Sequence, residues 1–236
     1  MSTLMHFLWF IKDTAANIDE HFTFYPDEDV LYRINDARPY SNSLGEYPVE
    51  SFDLQELKTA TRIHDRFLQI KSPKSISASV VSPKNRFYDS PIHSTNYNEF
   101  NRIERAMLFL ESARHTTFPL SKISSYMSML ECLFSTGDTE VSHKVSERVA
   151  LYIGKNSNDR YKIFKTIKHA YTLRSRFVHG DAVDKKHSLQ SQLKEISKEI
   201  DGLLRTIFTK VILEDSVMFL LKTQDLKARL EAQIFK

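Results

Sequence analysis

The sequence predicts a mainly α-helical protein, with an antiparallel helical bundle over residues 99–236 and an α+β region before it. Apolar residues recur every three or four positions through most of residues 99–236, in one stripe per segment with short connections, as in bundles of amphipathic helices. Only 5 Gly and 7 Pro occur among 236 residues, which argues against an all-β sandwich with many tight turns. The 16 Phe and 10 Tyr can fill a sizeable core.

Residues 1–98 are predicted to form an α+β region with a sensing or regulatory role. Three short runs of aromatic or β-branched residues, 7–11, 22–25 and 30–34, are typical of strands. Six acidic residues and one arginine lie between positions 19 and 36. Such a run is usually a solvated surface, and it could also shield a basic surface elsewhere.

A helix is predicted over residues 53–71, where apolar side chains recur at spacings of three and four and Asp53 can cap the N-terminus. Apolar residues then alternate with serines over 76–80, which suggests a strand or an extended segment. Residues 82–98 contain two prolines, three asparagines and three serines, a composition typical of a long connection. We therefore place the domain boundary between residues 98 and 99.

Six helices are predicted in the C-terminal domain. They span approximately residues 99–114, 119–137, 140–153, 158–180, 189–211 and 224–235. The second begins at Pro119 and stops at Gly137, and each residue type is favoured at that end of a helix. Its apolar stripe consists of Ile123, Met127, Leu130 and Phe134.

The composition excludes several classes of site. The 33 Lys and Arg against 30 Asp and Glu give a net charge of +3, so any basic surface must be local. The single cysteine, Cys132, excludes an internal disulfide and a Cys-rich zinc site, and it is expected to be a small buried hydrophobe. The nine histidines lack metal-ligand spacing, and no phosphate loop, His-Glu-x-x-His pair or Gly-x-Ser-x-Gly elbow occurs. No cofactor or metal ion is therefore expected.

The chain is also expected to be a soluble, cytoplasmic protein that does not enter a membrane. The apolar run at residues 4–11 lacks a positively charged start and a small-residue cleavage site, so it does not match a signal peptide. No window approaches the roughly 18–20 apolar residues that a bilayer-crossing helix needs. Trp9, within this run, is expected in the core.

The most informative segment is YTLRSRFVHG, residues 171–180, where two arginines and a histidine gather at the predicted end of a helix. Across residues 160–187 there are eight Lys or Arg and two Asp. Such an excess of positive charge suits a phosphate backbone. The alternative is that the cations cluster there because the C-terminus of a helix favours them.

Three blocks of sequence, in this order and at this spacing, resemble the Apea-like family of HEPN domains. They are SSYMSMLECLF at 124–134, EVSHKVSERVA at 140–150 and RSRFVHG at 174–180. The last block contains Arg174 and His179 in the form of the family's Arg-x4–6-His motif. The resemblance covers roughly residues 99–215.

The resemblance implies an all-α bundle, commonly dimeric, of a family in which many members are metal-independent endoribonucleases in phage defence or toxin systems. It implies that Arg174 and His179 are the catalytic pair, with Arg176, Glu131 and Lys168 as auxiliary or RNA-binding residues. RNA supplies its own nucleophile, the 2′-hydroxyl. A histidine can then move the proton near neutral pH, and an arginine can stabilise the charge that develops on the phosphate. The expected products carry a 2′,3′-cyclic phosphate and a 5′-hydroxyl.

The spacing of the pair has a geometric consequence. Five residues along an ideal helix correspond to a rotation of about 140°, so Arg174 and His179 do not share a face of a regular helix. Either the last turn loosens before Gly180, or a second copy of the chain completes the pocket across a two-fold axis, and we favour the homodimer. Asp181 occupies the position of a tyrosine that is modified in some HEPN toxins, so silencing by that modification is not expected here.

Two other functions stay open. The domain could be a non-catalytic RNA-binding module, with single-stranded or tRNA-like RNA as its partner. Alternatively, the region around the arginine and histidine could be a structural dimer seam with no role in nucleic-acid binding. Glu131 could in turn be a structural partner of Arg148 or Arg174 rather than part of a site.

Overall fold

The computed structural model describes residues 2–17, 20–25, 30–35, 39–72, 97–181 and 190–234, and these residues are mainly α-helical. In chain order the elements are α1 (Ser2–Leu8), β1 (Glu20–Tyr25), β2 (Val30–Asn35), α2 (Leu54–Ile70), α3 (Arg102–Arg114), α4 (Pro119–Phe134), α5 (Val141–Ile153), α6 (Ser157–His179), α7 (Gln190–Leu213), α8 (Ser216–Phe219) and α9 (Thr223–Glu231). None of the helices in these ranges is both long and apolar enough to cross a bilayer.

The predicted strand at residues 7–11 is wrong. α1 ends at Leu8, and a turn follows in which the amide of Phe10 donates to the carbonyl of Phe7 at 3.1 Å. All the side chains from Phe7 to Phe10 are buried, including Trp9 as predicted. Each of these residues is apolar and buried, so the run shows no alternation of apolar and polar residues. Without such a period, the sequence does not distinguish a strand from a buried helical turn.

The other two predicted strands correspond to β1 and β2, which pair antiparallel with Glu20 opposite Asn35 and Tyr25 opposite Val30. The predicted extended segment at 76–80 and most of the predicted connection at 82–98 lie outside the described residues. The predicted helix at 53–71 is confirmed as α2.

The cap of α2 is confirmed in detail. The carboxylate of Asp53 accepts from the amide of Glu56 at 2.8 Å, and the carboxylate of Glu56 accepts from the amide of Asp53 at 2.9 Å. These reciprocal bonds form a capping box, which satisfies two amides that the start of a helix leaves unpaired.

The predicted end of α4 at Gly137 is wrong, because the helix stops at Phe134. Two arginines from other helices bind the carbonyl groups there. Arg148 donates to the carbonyl of Phe134 at 2.6 Å, and Arg102 donates to that of Ser135 at 2.8 Å. These cations satisfy the terminal carbonyl groups and complement the negative end of the helix dipole, so no glycine is needed.

α4 occupies the centre of the bundle. It packs against α3, α5, α6 and α7, and the predicted stripe of this helix is fully buried: Ile123, Met127, Leu130 and Phe134. α8 was not predicted, and it adds Phe219 to the same core. The central position of α4 allows its C-terminal half to meet both α5 and α6, which is where the candidate site lies.

The N-terminal residues share the hydrophobic core of the C-terminal helices. α1 packs on α2, and α2 packs on α7. The rings of Phe10 and Phe208 lie 5.6 Å apart. The division of the chain at residue 98 stays a prediction.

Arg114, at the end of α3, links the N-terminal residues to the bundle through hydrogen bonds. Its buried guanidinium donates to the carbonyl of His6 at 3.1 Å and to that of Thr14 at 3.3 Å, and it lies 4.1 Å from the ring of Tyr40. The amide of Ser41 donates to the carbonyl of Arg114 at 2.8 Å. Burial lowers the pKa of Arg114 to about 10, so the group is charged at neutral pH and these contacts are charge-assisted.

Candidate functional site

A cavity of about 580 Å³ lies between the end of α4, the start of α5 and the second half of α6. All five predicted site residues line it: Glu131, Lys168, Arg174, Arg176 and His179. Glu131 comes from α4 and the four basic residues come from α6. The structure therefore brings together every residue predicted for the site.

α6 is a continuous helix with a well-defined end. The amide of Asp181 donates to the carbonyl of Arg176 at 2.9 Å, and the amide of Gly180 donates to that of Phe177 at 3.4 Å. Gly180 has a φ of 76° and is the C-cap. This pair of bonds around a left-handed glycine is a Schellman motif, which stops the helix cleanly after the histidine.

Of the two alternatives for this motif, loosening of the last turn is not observed, because α6 stays α-helical through His179. Arg174 and His179 leave the helix in different directions, and both still border the same cavity. His179 is exposed, whereas Arg174 is partly buried. The cavity extends around the helix surface far enough to include both side chains.

Glu131 holds Arg174 in place. The Nη1 atom of Arg174 donates to the Oε1 atom of Glu131 at 2.5 Å, and both side chains are about three-quarters buried. This is one of the two pairings predicted for Glu131. Arg148, the other predicted partner, instead binds the end of α4 and lies 4.0 Å from Glu231. The ion pair fixes one edge of the guanidinium, and the remaining N–H groups can donate to an anion.

Tyr171 lies beside this ion pair. Its side chain is buried, and it also borders the cavity. Burial raises the pKa of Tyr171, and the negative charge of Glu131 raises it further. The hydroxyl makes no hydrogen bond of good geometry within the described residues. A neutral phenol donor is thus present next to the charged pair.

Lys168 borders the same cavity and lies 11 residues before His179 on α6. Its Nζ atom donates to the hydroxyl oxygen of Ser142, at the start of α5, at 3.0 Å. No carboxylate of the described residues lies within ion-pairing distance of Lys168. Within the described residues, no carboxylate therefore offsets the positive charge of Lys168 at the cavity wall.

The cavity wall is electropositive. Among the described residues that line it, Lys168, Arg174 and Arg176 are cationic and Glu131 is the one carboxylate. A helix dipole explains cations only within the last turn of a helix, and Lys168 lies 11 residues before His179. The helix dipole therefore does not explain why a cation occupies position 168. A cation at the wall of the cavity favours binding of an anionic ligand.

The sequence analysis did not identify Ser142, nor the polar residues of α6 between Lys168 and His179, as part of the site. Lys168, Thr172, Ser175 and His179 follow one another at spacings of four, three and four, and all four border the cavity. A polar stripe with this period marks one face of a helix and could have been found in the sequence. Ser142 offers no such signal, because its role depends on how α5 packs against α6.

The described residues contain no group of three or more His, Cys, Asp or Glu side chains arranged to hold a metal ion. The resemblance of residues 99–215 to Apea-like HEPN domains stays a prediction. No model of a protein family matches the chain, and no curated protein or solved structure matches it at a significant level.

Proposed function

We propose that the protein is a metal-independent endoribonuclease of HEPN type that cleaves RNA by attack of the 2′-hydroxyl. The observation that carries the proposal is the shared cavity: Arg174 and His179 border one electropositive pocket, with Glu131 orienting the arginine. The Arg-x4-His spacing supplies the second line of support. An HEPN-like bundle, formed by α3 to α7 around the central α4, is part of the same proposal.

The chemistry needs two proton transfers and one site of charge stabilisation. The 2′-oxygen forms a bond to phosphorus, and the bond from phosphorus to the 5′-oxygen breaks. His179 accepts the proton of the 2′-hydroxyl or donates one to the leaving 5′-oxygen, since an imidazole does either near neutral pH. Arg174 donates to the phosphate oxygens as negative charge builds on them. Arg176 adds a second cation on the same wall.

A homodimer would complete this site. In each protomer, His179 is the one histidine of the described residues that borders the cavity. A two-fold axis near the end of α6 would bring two copies of His179 to one linkage. One copy then acts as the base and the other as the acid. Exposure of Val178 and His179 at the end of α6 is compatible with such a contact.

The biological role that we propose is that of a cytoplasmic effector in phage defence or in a toxin system, with residues 1–98 sensing a trigger or restraining activity. This assignment rests on the resemblance of residues 99–215. Attachment of the N-terminal residues to the bundle through Arg114 offers a physical route by which they could influence α4 and the site.

The test uses total RNA and tRNA incubated with the purified protein in EDTA, followed by analysis of the fragment ends. We expect cleavage that leaves 2′,3′-cyclic phosphate and 5′-hydroxyl ends, and its loss in Arg174→Ala and His179→Ala proteins that retain the wild-type circular dichroism. Lys162→Gln is the matched control, because Lys162 is an exposed cation of α6 outside the cavity. Cleavage that requires magnesium, or that survives both substitutions, contradicts the proposal.

The alternative function is an RNA-binding module without catalysis. It is favoured by the 2.5 Å ion pair, which commits part of the Arg174 guanidinium to a carboxylate of the protein itself. It predicts salt-sensitive association with RNA and no turnover. Arg174→Ala would then weaken binding, whereas His179→Ala would leave it nearly unchanged.

A further inference from the structure

We propose that Lys168 and Ser142 form a phosphate-binding subsite distinct from the Arg174–His179 pair, so that the ligand is a single strand of several nucleotides lying along α6. The inference rests on the proposed function in taking RNA as the ligand. It adds a second point of contact between the protein and the RNA, and it places the strand along α6. The scissile phosphate lies at the His179 end, and a phosphate of another nucleotide lies at the Lys168 end.

Lys168 and His179 are too far apart to bind the same phosphate group. Lys168 and His179 lie on one face of α6 and are 11 residues apart, which corresponds to about 16 Å along the helix at a rise of ~1.5 Å per residue. One phosphate group cannot contact both ends at once. A ligand that uses the whole electropositive wall must therefore carry more than one phosphate.

The surface between the two ends is suited to a continuous strand. Thr172 and Ser175 occupy the intervening positions on this face, and both are exposed at the cavity wall. Both side chains are short. The hydroxyl of Ser175 can donate to a sugar or phosphate oxygen, whereas the hydroxyl of Thr172 donates to the carbonyl of Lys168 at 3.2 Å and can accept a hydrogen bond from the strand. No large side chain of the α6 stripe separates Lys168 from His179.

The chemistry at the Lys168 end favours a phosphate. The ammonium group has three N–H donors, and the described residues use one of them, in the bond to Ser142. That bond holds the flexible lysine side chain at the wall, which lowers the entropy lost when an anion binds. The hydroxyl of Ser142 accepts from Lys168 and can itself donate to a phosphate oxygen.

The position of the cations inside a concavity favours a single strand over a duplex. Proteins recognise double-stranded RNA across its wide, shallow minor groove and its outer phosphates, which requires an exposed, extended surface. Here the cations border an open cavity that is bounded by α4, α5 and α6. A single strand can enter such a groove and follow its charged wall.

The test measures binding of a fluorescein-labelled 12-nucleotide 2′-O-methyl RNA, which cannot be cleaved because it lacks the nucleophile. Fluorescence anisotropy gives the affinity of the full-length protein between 50 and 200 mM salt. For Lys168→Gln we expect about a three- to tenfold loss at low salt, with the slope of log K against log salt smaller in magnitude by about 0.7, the value for one contact to a single strand. Lys162→Gln removes the same charge from the same helix outside the cavity and should leave both values unchanged.

Ser142→Ala is a second variant that keeps the lysine charge. We expect a loss of about two- to threefold with an unaltered salt slope, because the contacts of one neutral hydroxyl are removed while the charge of Lys168 is kept. A 12-base-pair duplex of the same chemistry should bind more weakly than the single strand. The unfolding temperatures of all variants are measured so that a loss of binding is compared only between folded proteins.

The outcomes separate this inference from the proposed function. If Lys168→Gln behaves like Lys162→Gln, or if the wild type binds no RNA at 50 mM salt, the subsite is refuted. If the Lys168 effect appears but no RNA is cleaved in EDTA, the subsite stands and the ribonuclease function fails. Tighter binding of the duplex than of the single strand would overturn the assignment of the strand along α6.

Discussion

The indole N–H of Trp9 donates to the carboxylate of Asp201 at 2.7 Å and joins two residues that are 192 positions apart in the sequence. The hydroxyl of Tyr126, on the central helix, donates to the same carboxylate oxygen at 2.9 Å, and Arg205 binds the other oxygen. Asp201 is almost completely buried, and burial raises its pKa. One carboxylate thus gathers donors from the N-terminal turn, α4 and α7.

Removal of one of these donors should destabilise the fold. Trp9→Phe keeps most of the apolar volume but leaves a buried carboxylate with one partner fewer, so we expect a loss of about 1–3 kcal/mol in the free energy of unfolding. Tyr126→Phe removes the other neutral donor and should cost a similar amount. Urea titration followed by circular dichroism measures both, since Trp9 is the single tryptophan and its replacement abolishes the usual fluorescence signal. An unchanged unfolding midpoint in both variants would show that the network contributes nothing.

Lys122 should make the stability of the protein depend on pH. Burial lowers its pKa to about 8, from an ordinary value of 10.5, and its Nζ atom donates to the carbonyl of Ala113 at 2.8 Å. Between about pH 8 and pH 10.5 the unfolded chain therefore binds more protons than the folded one, and stability rises with pH across this window. The gain should approach about 3 kcal/mol at the upper end.

Lys122→Met isolates this effect from the other groups that titrate in the same range. The difference in unfolding free energy between wild type and variant, measured by urea titration at pH 7, 8, 9 and 10, should change in favour of the wild type as the pH rises. A difference that stays constant across the series would mean that Lys122 does not titrate differently on folding.

Two glycines offer a paired test of backbone conformation. Gly180 has a φ of 76° with open space around its Cβ position, so Gly180→Ala should cost about 1 kcal/mol through the left-handed conformation alone. Gly202 lies inside α7, also with open space, and Gly202→Ala should stabilise the protein by about 0.5–1 kcal/mol. Thermal unfolding of the two variants should shift in opposite directions. Equal shifts of the same sign would contradict this account of the two positions.

Glu131→Gln should separate RNA binding from catalysis. The amide can still accept from Arg174, but the negative charge is lost from the cavity, so we expect tighter RNA binding at low salt. The turnover rate should fall, because Arg174 is held less firmly, and KM should fall with it. The stability change should stay within about 1 kcal/mol, since both partners are partly exposed. An unchanged turnover rate in the variant would contradict the assignment of Glu131 as a positioning residue for Arg174.

The parts of the fold that were predicted correctly are those that depend on neighbouring residues. Asp53 and Glu56 form their capping box within one turn, so the start of α2 is visible in four residues of sequence. The end of α4 is different, because it depends on Arg102 and Arg148, which arrive from α3 and α5. No pattern local to the end of α4 could have shown this.

The candidate site likewise contains residues that the sequence predicted and contacts that only the structure shows. Arg174 and His179 were found because the motif and the resemblance are properties of one segment. Glu131 was assigned through a second block of the resemblance, and its pairing with Arg174 rather than Arg148 depends on the packing of α4 against α6. The contact between Lys168 and Ser142 needed the structure, since nothing in either segment indicates the other.

The three buried Lys and Arg side chains of the described residues share one further property: each of them donates to a backbone carbonyl group. Arg114 binds the carbonyls of His6 and Thr14, Arg148 binds that of Phe134, and Lys122 binds that of Ala113. Every amino acid presents the same carbonyl oxygen. These contacts therefore require a lysine or arginine at the donor position, whereas at the acceptor position they require only that the backbone follows the same path. Homologous sequences could therefore diverge at the acceptor positions as far as local packing allows, while the arginines and lysines that tie the helices together have no equivalent replacement.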